Sequence, residues 1–171
     1  MRLKETQKAL NTFGKRVVKQ AKQNLTKGKK NVNNKLYNSI FYKAKVMPNS
    51  IDVFFFMEEY GIYQDRGVKG TKSNYIENRD TPFSYRTDKP PVEPLIQWAK
   101  KRNFRLRDDK GKFAKGSYKT IGFILQKSIF NKGIRASMFF TTPFENEFKK
   151  LPADVIEQYG LDIDQFLELT T

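Results

Sequence analysis

Neither cysteine nor histidine occurs in this 171-residue chain. The first absence excludes disulfides, thiolate chemistry and cysteine zinc sites. The second removes the commonest general base and the commonest transition-metal ligand. Catalysis would have to rest on carboxylates, lysine, tyrosine or an oxygen-bound hard cation. The expectation is a protein that is not an enzyme and holds no cofactor. No apolar run approaches the roughly 20 residues that a membrane span needs, and no apolar signal-peptide core follows the basic N-terminus. A soluble chain without a membrane partner is expected. Aromatics are not scarce. The 15 Phe sit within 38% hydrophobic residues, which argues for a phenylalanine-rich core and against global disorder. The length suits one domain with arms.

Acids are scarce and unevenly placed. The formal net charge is +15. Residues 1–50 hold 13 bases and one acid, residues 51–100 hold 7 and 8, and residues 101–150 hold 13 and 4. The last 21 residues hold five acids and no base. Two basic blocks therefore flank a near-neutral middle, and an acidic tail closes the chain. A field sorted in this way suits a polyanion, nucleic acid above all.

Residues 2–25 read as an amphipathic helix, with Leu3, Leu10, Phe13, Val17, Ala21 and Leu25 on one face. Lys4, Lys8, Lys15, Lys19 and Lys22 recur on another, and Gly14 weakens the middle by about 1 kcal/mol. Thr26 to Lys35 has the composition of a basic tether, with Lys27, Lys29 and Lys30. From Leu36 the period becomes two, with Ile40, Tyr42, Ala44 and Val46 on one face. Pro48-Asn49-Ser50 signals a turn into a second strand of Ile51, Val53 and Phe55. Phe54, Phe55 and Phe56 in succession predict that this second strand is buried on both faces.

Glu58 and Glu59 follow, and with Asp52, Asp65 and Asp80 they could bind Mg²⁺ as nucleases arrange it. The alternative is that they pair with local bases. The stretch 66–94 reads as a long insertion in which Tyr75, Phe83 and Tyr85 alternate with Arg79, Arg86 and Lys89. Such a mixture can stack on bases or anchor a protein interface. A helix over Leu95–Arg102 packs Trp98. A basic hairpin over Phe104–Lys115 carries Arg105, Arg107, Lys110 and Lys112. Ser117 caps the next helix and Gly133 stops it. Ala136–Thr142 is read as a strand broken by Pro143, Phe144–Leu151 as a helix, and Ala153–Tyr159 with Asp162–Leu169 as a helical tail interrupted at Gly160. The fold class is α+β: a small antiparallel sheet, a long N-terminal helix and further helices packed on it. The expected organisation is one domain over 1–151 and an acidic helical tail over 152–171.

Two runs carry a family resemblance. Tyr60-Gly61-Ile62-Tyr63-Gln64-Asp65-Arg66-Gly67 resembles a YAxYxExGT element, with Val68 in place of its threonine. Phe139-Phe140-Thr141-Thr142-Pro143-Phe144 resembles the strand that runs into PFxxPA. With the basic helix and hairpin before them, these runs resemble the tail-completion or neck proteins of long-tailed bacteriophages, the minor tail component family. The segment Thr71–Pro94 is longer than that pattern, and the acidic tail lies outside it. The resemblance implies a structural virion protein assembled in the host cytoplasm, in a closed ring of six or twelve copies at the head–tail junction. It implies portal or adaptor and tail-tube or terminator proteins as neighbours, with packaged double-stranded DNA passing through. Tyr60, Gly61, Tyr63, Asp65, Arg66, Gly67, Tyr75, Phe83, Tyr85, Pro143 and Phe144 would then be motif and subunit-interface positions. The lysines of 1–30 and the arginines and lysines of 105–112 would face DNA or an acidic partner. Two other classes stay open: a nucleic-acid-binding module outside a virion, and a Mg²⁺-dependent nuclease.

Overall fold

The first helix forms where the apolar stripe predicts it. In the computed structural model, which describes residues 3–30, 33–47, 50–78 and 80–168, α1 spans Lys4–Lys27. Arg2, Pro48, Asn49, Arg79 and Leu169 lie outside the described residues, as do the side chains of Phe166 and Leu167. Leu10, Phe13, Val17, Ala21 and Leu25 are buried along one side of α1. Gly14 lies on that side for a spatial reason. A Cβ there would sit 2.3 Å from the Tyr42 ring, so the glycine lets the ring lie directly on the helix.

The hairpin is present as β1 (Phe41–Met47) and β2 (Ser50–Phe56), antiparallel with Tyr42 opposite Phe55 and Ala44 opposite Val53. The outer edge of β1 is closed by a side chain. Gln7 donates from Nε2 to the Ala44 carbonyl at 3.1 Å and accepts the Val46 N–H at 3.1 Å. The strand begins later than predicted, because Lys35–Ser39 is a short helix, α2. Leu36 and Ile40 are four apart, a spacing that strand and helix periods share, so the pattern alone could not separate them. The expectation that β2 is buried on both faces is also corrected. Phe55 faces α1 and α6, but Phe54 and Phe56 are 55% and 39% exposed. A two-stranded sheet has two faces, and α1 covers one.

The chain forms two compact units, residues 1–61 with 138–171 and residues 62–137. In the first, α1 packs on the hairpin, on α6 (Thr141–Phe148) and on α7 (Leu151–Glu168). Ala21, Leu25, Leu36, Ile40 and Phe139 make its centre. Phe13, Phe55, Phe140 and Phe144 form an aromatic cluster beside it, mostly edge-to-face, with centroids 5.3–6.0 Å apart. The predicted strand over Ala136–Thr142 is absent. Pro143 starts a helix rather than breaking a strand: it sits in the first turn of α6, where a missing N–H costs nothing. Gly160 does not interrupt the tail, and α7 runs through it as one helix.

In the second unit, α3 (Gly61–Arg66) leads to β3 (Val68–Lys69), which pairs antiparallel with β4 (Gly133–Ile134). The helices α4 (Val92–Lys101) and α5 (Tyr118–Lys132) pack together. Trp98 meets Phe104 edge-on at 4.8 Å. Ser117 caps α5 through Thr120 N–H, and Gly133 ends it at φ 85. Within the stretch read as a basic hairpin, Arg107 and Phe113 form an isolated bridge and the Ala114 N–H donates to the Leu106 carbonyl at 3.0 Å. The fold class is α+β.

Candidate nucleic-acid interface

Four of the twelve basic residues singled out in the sequence come together in one place. Lys15, Lys19 and Lys22 recur at i, i+4 and i+7 on α1, and Lys27 closes the helix. They line an open groove of about 740 Å³ whose other walls are Val18, Gln23, Thr26, Tyr37 and Tyr42. Among the described residues no carboxylate lines it. The Lys22 ammonium lies over the Tyr37 ring at 5.1 Å, a cation–π contact that holds one lysine in place. Tyr42 forms the wall because Gly14 admits its ring. Lysines present point charges suited to phosphates, and phosphate contacts position a chain without reading its sequence.

The remaining basic residues are placed differently. Lys4 is exposed at the start of α1, and Lys8 bridges to Glu5 at 3.3 Å. Lys29 and Lys30 are exposed past the helix end. In the second unit Arg105 and Arg107 both lie over the Phe113 ring, at 5.4 and 4.7 Å, and Arg107 donates to the Gly111 carbonyl at 2.8 Å. The turn that follows Arg107 is tied by Asp108, whose carboxylate accepts the N–H groups of Lys110 and Lys112 at 3.0 and 2.8 Å. Both lysine side chains remain exposed.

The carboxylates do not make a metal centre. Among the described residues no group of three or more Asp or Glu side chains could hold a cation. Glu58 pairs with Lys35 at 2.9 Å, as the local-pairing alternative expects. Their hydrogen bond, then the charge of Glu58, raises the Lys35 ammonium above its ordinary value. Burial, then the same carboxylate, raises the Tyr60 phenol.

Several motif positions serve the interior. Gly61, Asp65, Gly67 and Pro143 are buried, and Phe144 stacks with Phe148 at 5.5 Å beside the aromatic cluster. Gly67 has φ +74, and a Cβ there would lie 2.3 Å from Asn78 Oδ1. Tyr60 and Tyr63 are 43% and 38% exposed. Tyr63 meets Phe83 edge-on at 4.8 Å, and Tyr85 lies 6.0 Å from Phe130 with its phenol raised by burial. Tyr75 is half-buried and Arg66 exposed.

Three polar residues that the sequence did not mark hold these surfaces in place. Asp162 of α7 is 3% exposed and accepts the Glu5 N–H at 3.0 Å, the Thr6 N–H at 2.9 Å and the Thr6 hydroxyl at 2.8 Å. It therefore caps α1, whose own cap position is Leu3. Burial pushes this carboxyl up. The hydrogen bonds from Thr6, Glu5 and Lys4 outweigh that and hold it below the ordinary carboxylate range. Glu147 of α6 is buried, accepts from Gln20 Nε2 at 2.9 Å and lies 3.8 Å from Arg16. Asn78 is fully buried, donating to the Val68 and Ile134 carbonyls at 2.9 and 2.7 Å and accepting the Ala136 N–H at 2.7 Å. Comparison with protein-family models, with curated proteins and with solved structures finds no match for this chain.

Proposed function

We propose that this chain is a structural virion protein of a tailed bacteriophage, a subunit of the neck or tail-completion ring around the DNA channel. In this reading the groove along α1 faces packaged DNA or an acidic neighbouring protein. The family part of the reading rests on the resemblance of the two short runs around Tyr60–Gly67 and Phe139–Phe144. The observation that carries the functional part is the groove of Lys15, Lys19, Lys22 and Lys27, which no carboxylate of the described residues lines. A channel lining needs positive charge and no base recognition, and this groove offers that combination.

The test joins assembly to charge. Light scattering on the purified chain, with and without portal-side proteins of its particle, should give a discrete ring or a monomer that closes on its partner. Replacing Lys15, Lys19, Lys22 and Lys27 with Gln should leave the fold unchanged, since all four lie off the buried stripe. The log–log salt slope of DNA binding should flatten by roughly 0.9 for each phosphate that the variant no longer neutralises. Lys8 serves as the control, because it is paired with Glu5. An unchanged slope would remove DNA from the reading. A persistent monomer that binds single strands by itself would favour the free nucleic-acid-binding module, for which Tyr37 and Tyr42 offer stacking surfaces.

A further inference from the structure

We infer that α7 of one copy docks, by its outward acidic face, on the outward face of α5 in a second copy. The helix α7 uses one side to cap and cover α1. Its other side carries Ala153, Ile156, Glu157, Gly160 and Asp164, which fall on one stripe at helical spacing. Ile156 is 73% exposed, and nothing lies within 4 Å of where a Cβ at Gly160 would be. The stripe is thus apolar, open to close approach and negative.

The receiving face has the opposite charge. Phe123 and Ile124 of α5 are 49% and 52% exposed, and with Lys119, Thr120 and Lys127 they line an open groove of about 400 Å³. Neither lysine is ion-paired among the described residues, and neither are Glu157 and Asp164. The spacings also agree. At 1.5 Å per residue, Glu157 and Asp164 stand about 10 Å apart along α7 and Lys119 and Lys127 about 12 Å apart along α5. Helix-on-helix packing can therefore set both charge pairs together, with Gly160, midway between the two acids, against Phe123, midway between the two lysines. Apolar contact would supply the attraction, and the charges would fix partner and register. The two faces are different patches, so each copy offers one of each and the contact is heterologous, the kind that closes into rings. A second copy as the occupant rests on the homo-oligomeric ring of the proposed function.

The chain has no cysteine, so introduced ones report without background. Chains bearing Gly160→Cys would be mixed with chains bearing Phe123→Cys and oxidised, and the covalent dimer measured on a non-reducing gel. The mixture should cross-link several-fold more than either variant alone. Lys119→Glu with Lys127→Glu in the Phe123→Cys chain should lower the yield roughly tenfold. Adding Glu157→Lys and Asp164→Lys to the other chain should restore it. Circular dichroism and light scattering on the same samples follow folding and assembly. An oligomer that forms without this cross-link and ignores the charge reversal overturns the α7–α5 pairing and leaves the ring reading standing. A monomer at every concentration, with or without portal-side proteins, overturns both. Both cysteines placed in one chain and closing within a monomer would overturn the second copy as occupant.

Discussion

The unit of residues 1–61 and 138–171 and the unit of residues 62–137 are held together by different means. The first buries large apolar side chains, among them Leu10, Phe13, Val17, Leu25, Leu36, Ile40 and Phe139. Each contributes about 1.5–3 kcal/mol on leaving water. The second buries Val68, Ile96, Ala99, Ile121 and Ala136, of which two are alanine. Its strands are two residues long, and it relies on polar side chains standing in for backbone. Asn78 ties β3 to β4 and to the segment after it, and Thr81 donates to the Gly67 carbonyl at 2.9 Å. An apolar core tolerates small losses, whereas a polar staple fails when one atom is removed, because its buried partners lose their hydrogen bonds at once.

The strongest test of this contrast is Asn78→Ala. It strands the Val68 carbonyl, the half-buried Ile134 carbonyl and the Ala136 N–H, and should cost about 3–5 kcal/mol. Hydrogen exchange should rise at amides of residues 62–137 and stay unchanged along α1. A uniform rise across both units would show that they unfold as one and would end the comparison. Gly67→Ala attacks the same staple from the backbone side. The new Cβ needs an unfavourable positive φ and collides with Asn78 Oδ1, so about 2–4 kcal/mol should be lost, again with exchange confined to residues 62–137.

The first unit has its own polar staple, and Asp162→Asn probes it. The amide keeps the shape and one acceptor oxygen, but its NH2 group faces either the Glu5 N–H or the Thr6 donors. A loss of about 1–3 kcal/mol should follow, with fraying of the first turn of α1 and of α7. The carboxyl is held below its ordinary value in the folded chain. Its contribution is therefore complete above the unfolded value near pH 4 and is lost as pH falls through the folded one. Denaturant titrations from pH 7 downward should show the wild type losing stability below about pH 4. The variant should lack that component of the loss.

The same contrast explains what could be read from the sequence. The helix α1, the hairpin, the cap at Ser117 and the stop at Gly133 were legible because each has a period or a local signature. The lysine row was legible too, but its groove was not, since Tyr37 and Tyr42 reach α1 through tertiary contact and through the space left at Gly14. Asn78 and Asp162 act on residues far along the chain, and no spacing announces them. The sequence reading placed Leu3 inside the helix, so it gave no hint that the position before α1 lacks a capping side chain and that Asp162 supplies the cap. The strand expected over Ala136–Thr142 failed for a related reason. The Ala136 and Ser137 N–H groups bond to Asn78 Oδ1 and the Asp65 carbonyl rather than to a strand, so apolar alternation there had no ladder to join.

The smallest expected change runs the other way. Gly160 lies inside α7, in a unit whose stability comes from packed helices, yet its missing side chain leaves open space and relieves no clash. Glycine in a helix interior costs about 1 kcal/mol relative to alanine, through the greater freedom it keeps in the unfolded chain. Gly160→Ala should therefore stabilise the first unit by about 1 kcal/mol. The gain should appear as slower exchange in α7 and at the start of α1, where Asp162 couples the two helices. Residues 62–137 should be unaffected. A loss of stability instead would mean that the backbone at Gly160 is already approached by something, and the second copy proposed for this face is the occupant to test. Measuring the variant both at a concentration where the chain is monomeric and at one where it is assembled separates the two effects. The intrinsic helix gain persists at both, and a penalty confined to the assembled form marks a docked face.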